Sequence, residues 1–297
     1  MRTDPACIPC FIRAATATAQ LLGLSDSDRA AFERDAGSLA ASHHPEQCPP
    51  VLGQMIQRRL RAVAGRDPYA THKAASNALA WRLLPELEQR VAADPDPFEA
   101  ALRYAIAGNC IDFGKGHGIG EPEVLATLER LAALHLDAAT VATARRLCAA
   151  ARHIVVLADN AGEIVLDRLL LARLPRNRVT VIVRGSPVIN DATLEDAAAA
   201  RIAEFAQVID SGSDAPGTIM HDLMRPAWDA LGEADLVIAK GQGNYESFDA
   251  GTADCLHLLL VKCQVVAVQT GLPQGAPAIR HRSGRLSRRL ADPEMIP

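Results

Sequence analysis

Two spacings of apolar residues divide this chain. Up to about residue 150 they recur every three or four positions, the period of helices that bury one face; from residue 152 they come in short unbroken runs. The first spacing predicts a helix over Phe11–Leu22, closed by Gly23, and another run to Ala41 capped by the oxygens of Ser25-Asp26-Ser27-Asp28. Pro45, Pro49 and Pro50 then break the chain before a helix over Val51–Ala64. Asp67-Pro68-Tyr69 predicts a turn into a helix running to about Leu84, and Asp94-Pro95-Asp96-Pro97 a linker into another over Phe98–Ala107. The second spacing predicts strands near His153–Ala158, Val179–Val183, Gln207–Ile209, Leu236–Ala239 and Val265–Val268, with helices between them. Five strands joined by helical crossovers make an α/β fold with a parallel, doubly wound sheet. The linker separates an N-terminal helical part, residues 1–96, from a helical connection and α/β domain, residues 97–297. Arg280–Arg289 reads as a solvated basic tail or an edge.

Composition removes several function classes. With 49% hydrophobic and 22% charged residues the chain is an ordinary globular one, and a net charge of -4 supplies no broad basic field for nucleic acid. No apolar run approaches the roughly 18 residues of a membrane span, and the N-terminus lacks the layout of a secretory signal. The expectation is a cytoplasmic protein with a small-molecule partner and no membrane or nucleic-acid role; the number of subunits is not legible. Seven cysteines, scattered apart from Cys7 and Cys10, do not form a disulfide framework. Cys7-Ile8-Pro9-Cys10 at a helix start admits three readings: inert thiols, a dithiol redox pair, or a metal site completed by His43, His44 and Cys48.

Beyond the carboxyl ends of the strands, where ligands bind in such sheets, the chain is polar and glycine-bearing each time. These ends are Asp159-Asn160-Ala161-Gly162-Glu163, Arg184-Gly185-Ser186-Pro187 leading to Asn190-Asp191, Asp210–Ser213, Lys240-Gly241-Gln242-Gly243-Asn244, and Thr270-Gly271. Singly, each has a structural alternative: Asp159 and Asn190-Asp191 as helix caps, Gly241–Gly243 as a turn. Together they point to one crevice. Asp159, Asn160 and Asp191 offer only oxygens, which suits a hard divalent cation such as Mg²⁺ or Mn²⁺. Lys240, the N–H groups of Gly241 and Gly243, and Asn244 are suited to phosphoryl oxygens. Earlier in the chain, Lys73 and Asn77 share a helix face that is either solvated or lines a cleft. Asn109 and Asp112 introduce a loop rich in glycine (Gly114, Gly116, Gly118, Gly120) that has neither dinucleotide-fingerprint nor Walker A spacing.

Taken in order, several segments resemble a known family: CIPC at Cys7–Cys10, DPY at Asp67–Tyr69 with Lys73 and Asn77, GNCID at Gly108–Asp112, and DNAGE at Asp159–Glu163. Asn190-Asp191, KGQGNYE at Lys240–Glu246 and VKCQV at Val261–Val265 complete the set. The family is that of metal-dependent damage-control phosphatases with an ARMT-like metal-binding domain, in its short prokaryotic branch with a CxxC. The resemblance implies a helical N-terminal part on a Rossmann-like α/β/α sandwich and a divalent ion (Mn²⁺, Mg²⁺, Co²⁺ or Ni²⁺) at Asp159, Asn160 and Asp191. It also implies hydrolysis of small phosphorylated metabolites such as sugar phosphates.

The expected chemistry is metal-assisted phosphomonoester hydrolysis, with Asp159, Glu163 and Lys240 catalytic, Glu163 as a base or water-positioning group. Asn109, Asp112, Arg184, Ser186, Gly241, Gly243 and Asn244 are expected at the substrate. Lys262, in VKCQV, is a further lysine of the short branch. Two rivals stand beside this reading: a nucleotide- or methyl-donor-binding transferase on the same sheet, and a non-catalytic metal or thiol-redox module at Cys7 and Cys10.

Overall fold

The structure, a computed structural model, describes residues 1–114, 121–134, 136–249, 251 and 253–284, without the side chains of residues 21, 112–114 and 121. Prolines and capping oxygens set the helix borders. Helix α1 spans Cys7–Leu21, and α2 spans Asp26–Ser42, whose N-cap Ser25 accepts the Asp28 N–H. The Pro49-Pro50 pair starts α3, Pro49–Ala64, and Gly65 in the left-handed region ends it. Helix α4 runs over Ala70–Ala93, well past Leu84, and Asp96 caps α5, Pro97–Ala107. A 3-10 segment, Gly108–Gly114, follows, then α6, Glu121–Ala132, and α7, Ala138–Ala150. Residues 115–120, with three of the loop glycines, lie outside the described residues.

The α/β part then alternates. Strand β1, Ile154–Leu157, leads through the short helices α8, Glu163–Leu166, and α9, Arg168–Leu171, to β2, Val179–Val183. After it come α10, Leu194–Ala199; β3, Gln207–Asp210; α11, Arg225–Glu233; and β4, Leu236–Lys240. The chain continues with α12, Gly241–Ser247; β5, Asp254–Leu260; α13, Gln264–Thr270; and β6, Pro277–Arg282. The sheet order is β3-β2-β1-β4-β5-β6. The first five strands are parallel and β6 closes the edge antiparallel to β5. This is a Rossmann-like α/β/α sandwich with an N-terminal helical subdomain.

The fifth predicted strand is corrected. Val265–Val268 lies in α13, and β5 is Asp254–Leu260. Thr270-Gly271 is accordingly a helix end, with Gly271 at φ +66, and the segment after β5 is Val261-Lys262-Cys263.

Both faces of the sheet are covered, so its strands read as continuous apolar runs. Alternate residues go to opposite layers. Val156, Val181, Ile238 and Leu256 pack with Leu87, Ile106, Leu128 and Leu147 of α4–α7, whereas Val155, Leu157, Ile182 and Val237 pack with Ala227 and Leu231 of α11. Helices α1–α3 have a core of their own around Phe32, Leu52, Ile56 and Leu60. A polar latch holds them over the sheet: Gln54 Nε2 and Arg58 donate to Asp214, at 2.7 Å and 2.6 Å, and Arg61 pairs with the same carboxylate. Burial pushes the Asp214 carboxyl up, but Arg58, Arg61 and Gln54 together hold it down to about 2. Among the described residues no helix is long and apolar enough to cross a membrane.

His257, inside β5, gives the fold a pH dependence. It is fully buried, with its Nε2 3.4 Å from Cys255 Sγ, and its Nδ1 has no hydrogen-bond partner among the described residues. Burial, with Arg282 nearby, lowers its pKa from 6.5 to about 3. Between those values the unfolded chain binds a proton that the native chain refuses, so His257's contribution is intact above pH 6.5 and is lost as pH falls toward 3. Chemical denaturation from pH 7 to pH 4 is expected to show a stability slope steeper in the wild type than in His257→Met, by about 1.4 kcal/mol per pH unit. Equal slopes would remove His257 as the cause.

Candidate metal centre and cleft

The connections out of β1 and β4 leave the sheet in opposite directions, which opens a crevice at their carboxyl ends. Backbone pairing assembles the site there. Asn160 bridges Asp191, the Ala161 N–H donates to Asn190 O at 2.9 Å, and the Ala192 N–H donates to Asp159 O at 2.7 Å. The segment after β1 is thereby laid against the loop after β2, and Asp159, Asn160 and Asp191 come to one place. Ile189, a β-branched residue at φ +45, turns that loop into the pairing.

Gly162, at φ +80, then turns the chain into α8, and its N–H donates to Asn77 Oδ1 at 2.6 Å. Asn77 Nδ2 donates to Asp196 at 2.9 Å, and Lys73 Nζ lies 2.7 Å from the same carboxylate, which also caps α10 through Thr193. Lys73 and Asn77 are therefore buried and not on a solvated face; they line a separate cavity with Trp81 and Asp196, apart from the one at Asp159. They fasten α4 to the turn that carries Asp159.

The carboxylates at the centre are tightly held. Asp159 Oδ2 accepts from Asn109 Nδ2 at 2.7 Å and from Asn160 Nδ2 at 2.8 Å. Glu163 Oε2 accepts from the same two amides at 2.5 and 3.0 Å, and its Oε1 from Lys240 Nζ at 2.5 Å. Lys240 also donates to Asp167 Oδ1 at 2.5 Å and to Ala105 O at 3.0 Å, so its three protons are all placed and none reaches the cleft. Burial alone would lower the Lys240 pKa; Asp167 and Glu163 outweigh it and raise the value above the ordinary lysine range. Arg184 Nε donates to Asp191 Oδ2 at 2.7 Å and backs that carboxylate from within. Asn244 donates to Lys240 O at 2.7 Å and to Ala158 O at 3.2 Å, and accepts from Thr218 Oγ1 at 2.8 Å. It staples the ends of β1 and β4 together.

A cavity of about 250 Å³ opens on this centre, with Asp159, Asn160 and Asp191 in its wall. Gly243, Glu246 and Lys262 line it too, as do Cys7, Cys10 and Cys263. The CxxC is therefore part of the cleft, a placement its sequence position did not announce. Glu163, Lys240, Asn109, Arg184, Ser186, Gly241 and Asn244 do not line the cavity; apart from Ser186, they form its backing. Gly241 admits Asp159: at φ +74, a Cβ there would lie 1.8 Å from Asp159 Oδ2. The Asp112 side chain lies outside the described residues. The proposed thiol-histidine metal set does not assemble: His43 Nε2 is 2.8 Å from Thr3 Oγ1, and no three His, Cys, Asp or Glu side chains among the described residues are arranged to hold an ion.

The oxygen set itself fits a hard cation. Burial, then the charges of Glu163 and Asp191, push the Asp159 carboxyl up from 3.8 to about 8, while Lys262 and Arg184 pull it down. A buried carboxylate among others is a place where added positive charge is favourable. Two carboxylates and an amide leave coordination positions to water and phosphoryl oxygens, the arrangement that Mg²⁺-type sites use. Thiolate or imidazole ligands, which would favour Zn²⁺, are absent from the set.

The family model described as "Damage-control phosphatase ARMT1-like domain" matches residues 3–277. A damage-control phosphatase of Archaeoglobus fulgidus is 34% identical over 283 residues, 93% of this chain and 97% of its own. Another damage-control phosphatase, from Pyrococcus horikoshii, is 30% identical, covering 84% and 88% of the two chains. The crystal structure of a DUF89 family protein from Pyrococcus horikoshii superposes with a TM-score of 0.85 at 26% identity, over 95% of this chain and 100% of that one. Matched by the family model over nearly all of its length, and by relatives over most of theirs, the chain belongs to the damage-control phosphatase ARMT1-like family.

Proposed function

We propose that this protein is a divalent-metal-dependent phosphatase of small phosphorylated metabolites. The observation that carries the reading is the convergence of Asp159, Asn160 and Asp191 at one end of a cavity of about 250 Å³, a size that admits a small ester and not a polymer. Two relatives named as damage-control phosphatases support it.

Asp159, Asn160 and Asp191 are the residues that hold the ion, with Mn²⁺, Mg²⁺, Co²⁺ or Ni²⁺ as candidates. A divalent cation bound there supplies Lewis-acid stabilisation of phosphoryl charge. The protein's own part is positioning. Asn109 and Glu163 fix the orientation of Asp159 and Asn160, Arg184 fixes Asp191, and Lys240 neutralises the carboxylates behind them. With both oxygens engaged, Glu163 serves as a positioning residue and not as a base in contact with substrate. Lys262, which lines the cavity and whose charge reaches Asp159, takes the role of offsetting phosphoryl charge that the sequence suggested for Lys240.

The test is phosphate release from a panel of sugar and polyol phosphates by protein stripped with a chelator and then supplied with each ion. Release that requires the added ion is expected. Release indifferent to chelation, or no release from any ester with any of the four ions, would overturn the reading.

A further inference from the structure

The cavity has a second polar feature, away from the phosphoryl end and unused by the chemistry above. Glu246, on α12, is 7% exposed and lines the cavity. Its Oε1 accepts from Gln242 Nε2 at 2.8 Å. Gln242 is itself clamped: its Oε1 accepts the Lys262 N–H at 2.9 Å, and its Nε2 lies 3.5 Å from Cys263 Sγ. The Glu246 carboxyl therefore has a fixed direction. Its Oε2 has no hydrogen-bond partner among the described residues, and the residue is part of the cavity wall. Burial raises this carboxyl from 4.5 to about 7; the Gln242 hydrogen bond and the charge of the N-terminal ammonium, which donates to the Glu246 backbone oxygen, oppose the rise without cancelling it. A buried acceptor held in place and left without a donor asks for one from a ligand.

We propose that Glu246 forms a subsite for the organic part of the substrate, accepting a hydrogen bond from a hydroxyl group of a small phosphate ester whose phosphoryl group lies at Asp159, Asn160 and Asp191. The proposal rests on the phosphatase reading for its placement of the phosphoryl group. A hydroxyl suits the site better than an ammonium because Lys262 already brings positive charge to the same wall. Phe11, Pro49 and Pro50 supply apolar wall; the other polar side chains there are Asn190, next to Asp191 at the phosphoryl end, Gln242, already engaged with Glu246 and the Lys262 N–H, and the weakly donating thiols of Cys7, Cys10 and Cys263. Clamping by Gln242 lets the acid discriminate, since an oxygen that cannot swing away is left unpaired when the ligand lacks its hydroxyl.

The test compares 3,4-dihydroxybutylphosphonate, a non-hydrolysable stand-in for glycerol phosphate, with butylphosphonate. Binding of each to the Mn²⁺-supplied protein is measured by calorimetry, beside hydrolysis of glycerol phosphate and propyl phosphate. The wild type is expected to bind the diol at least tenfold more tightly, and Glu246→Leu to reduce that preference below threefold. Glu246→Gln, close in shape, keeps the test usable if leucine does not fold. Its amide oxygen stays with Gln242 and an N–H₂ replaces the accepting atom, so the preference should again fall. A preference absent from the wild type, or unchanged in both variants, overturns the subsite, as does tighter binding of 3-aminopropylphosphonate than of the diol. Failure to hydrolyse either ester counts against the phosphatase reading alone, because the binding preference does not depend on turnover.

Discussion

Asp159→Asn is expected to lower metal-dependent phosphate release by about two to three orders of magnitude or more, while leaving the protein folded. The substitution keeps the shape of the side chain, and the Asp159 backbone oxygen still accepts from Ala192. It removes one of the two carboxylates offered to the ion, and charge stabilisation at a phosphoryl centre is a large share of catalysis in such sites. Melting temperatures with and without Mn²⁺ separate this from a folding defect. Without the ion the variant should melt no lower than the wild type, because it loses repulsion with Glu163 and Asp191. With Mn²⁺ at a hundredfold excess over its Kd the wild type should gain about 2.7 kcal/mol, a rise of about 4 °C, and the variant much less. Full activity in the variant, or an equal rise in both proteins, would remove Asp159 from the centre. Asn109→Ala, which strips a hydrogen bond from Asp159 and one from Glu163, should cost about 10–100-fold by misplacing them.

The convergence of Asp159, Asn160 and Asp191 was legible because strand ends in a doubly wound sheet must share a crevice, so their sequence positions after β1 and β2 were enough. Which way a side chain faces at a strand end was not. Lys240 ends β4 and meets Ala105 O on the α5 side of the sheet, because the pleat alternates faces and a shift of one residue reverses them. Lys262 escaped a firm role for a related reason. With Val265–Val268 taken as a strand, the loop that carries Lys262 lay before the strand instead of beyond its carboxyl end.

That misplaced strand has a local cause. Gln264–Thr270 is rich in valine, yet only one face is needed: Val266 and Ala267 are buried, while Val268 is 73% exposed. Asp254–Leu260 carries two polar residues that argue against a central strand, but each is accommodated. Asp254 accepts from or pairs with His281 of β6 at 2.9 Å, and His257 is held neutral. Tertiary placement outranks β-propensity in both segments. Lys73, Asn77 and Glu246 were beyond reach of periodicity, since what defines each is a partner more than 80 residues away in the chain, or a cavity that several separate segments enclose.

Lys240→Met is expected to destabilise the native state by about 3–5 kcal/mol at pH 8, the loss typical when one member of a buried ionic cluster is removed. The methionine fills most of the same volume but leaves Glu163 and Asp167 buried without their shared cation, and leaves Ala105 O without that donor. The loss should depend on pH in a definite direction. Burial already raises the Asp167 carboxyl from 3.8 to about 6 despite Lys240, so its contribution is present below about pH 4 and is lost as pH rises through 6. Without the lysine that pKa moves higher still, and the deficit of the variant must widen between pH 5 and pH 8. Denaturant titrations at the two pH values measure it. The double variant Lys240→Met/Asp167→Asn should recover a large part of the loss at pH 8, because an amide needs no counter-charge. A single-variant loss below about 1 kcal/mol, or the same loss at both pH values, would mean that water and not Lys240 neutralises these carboxylates. The lysine would then be returned to the cleft as a candidate partner of substrate.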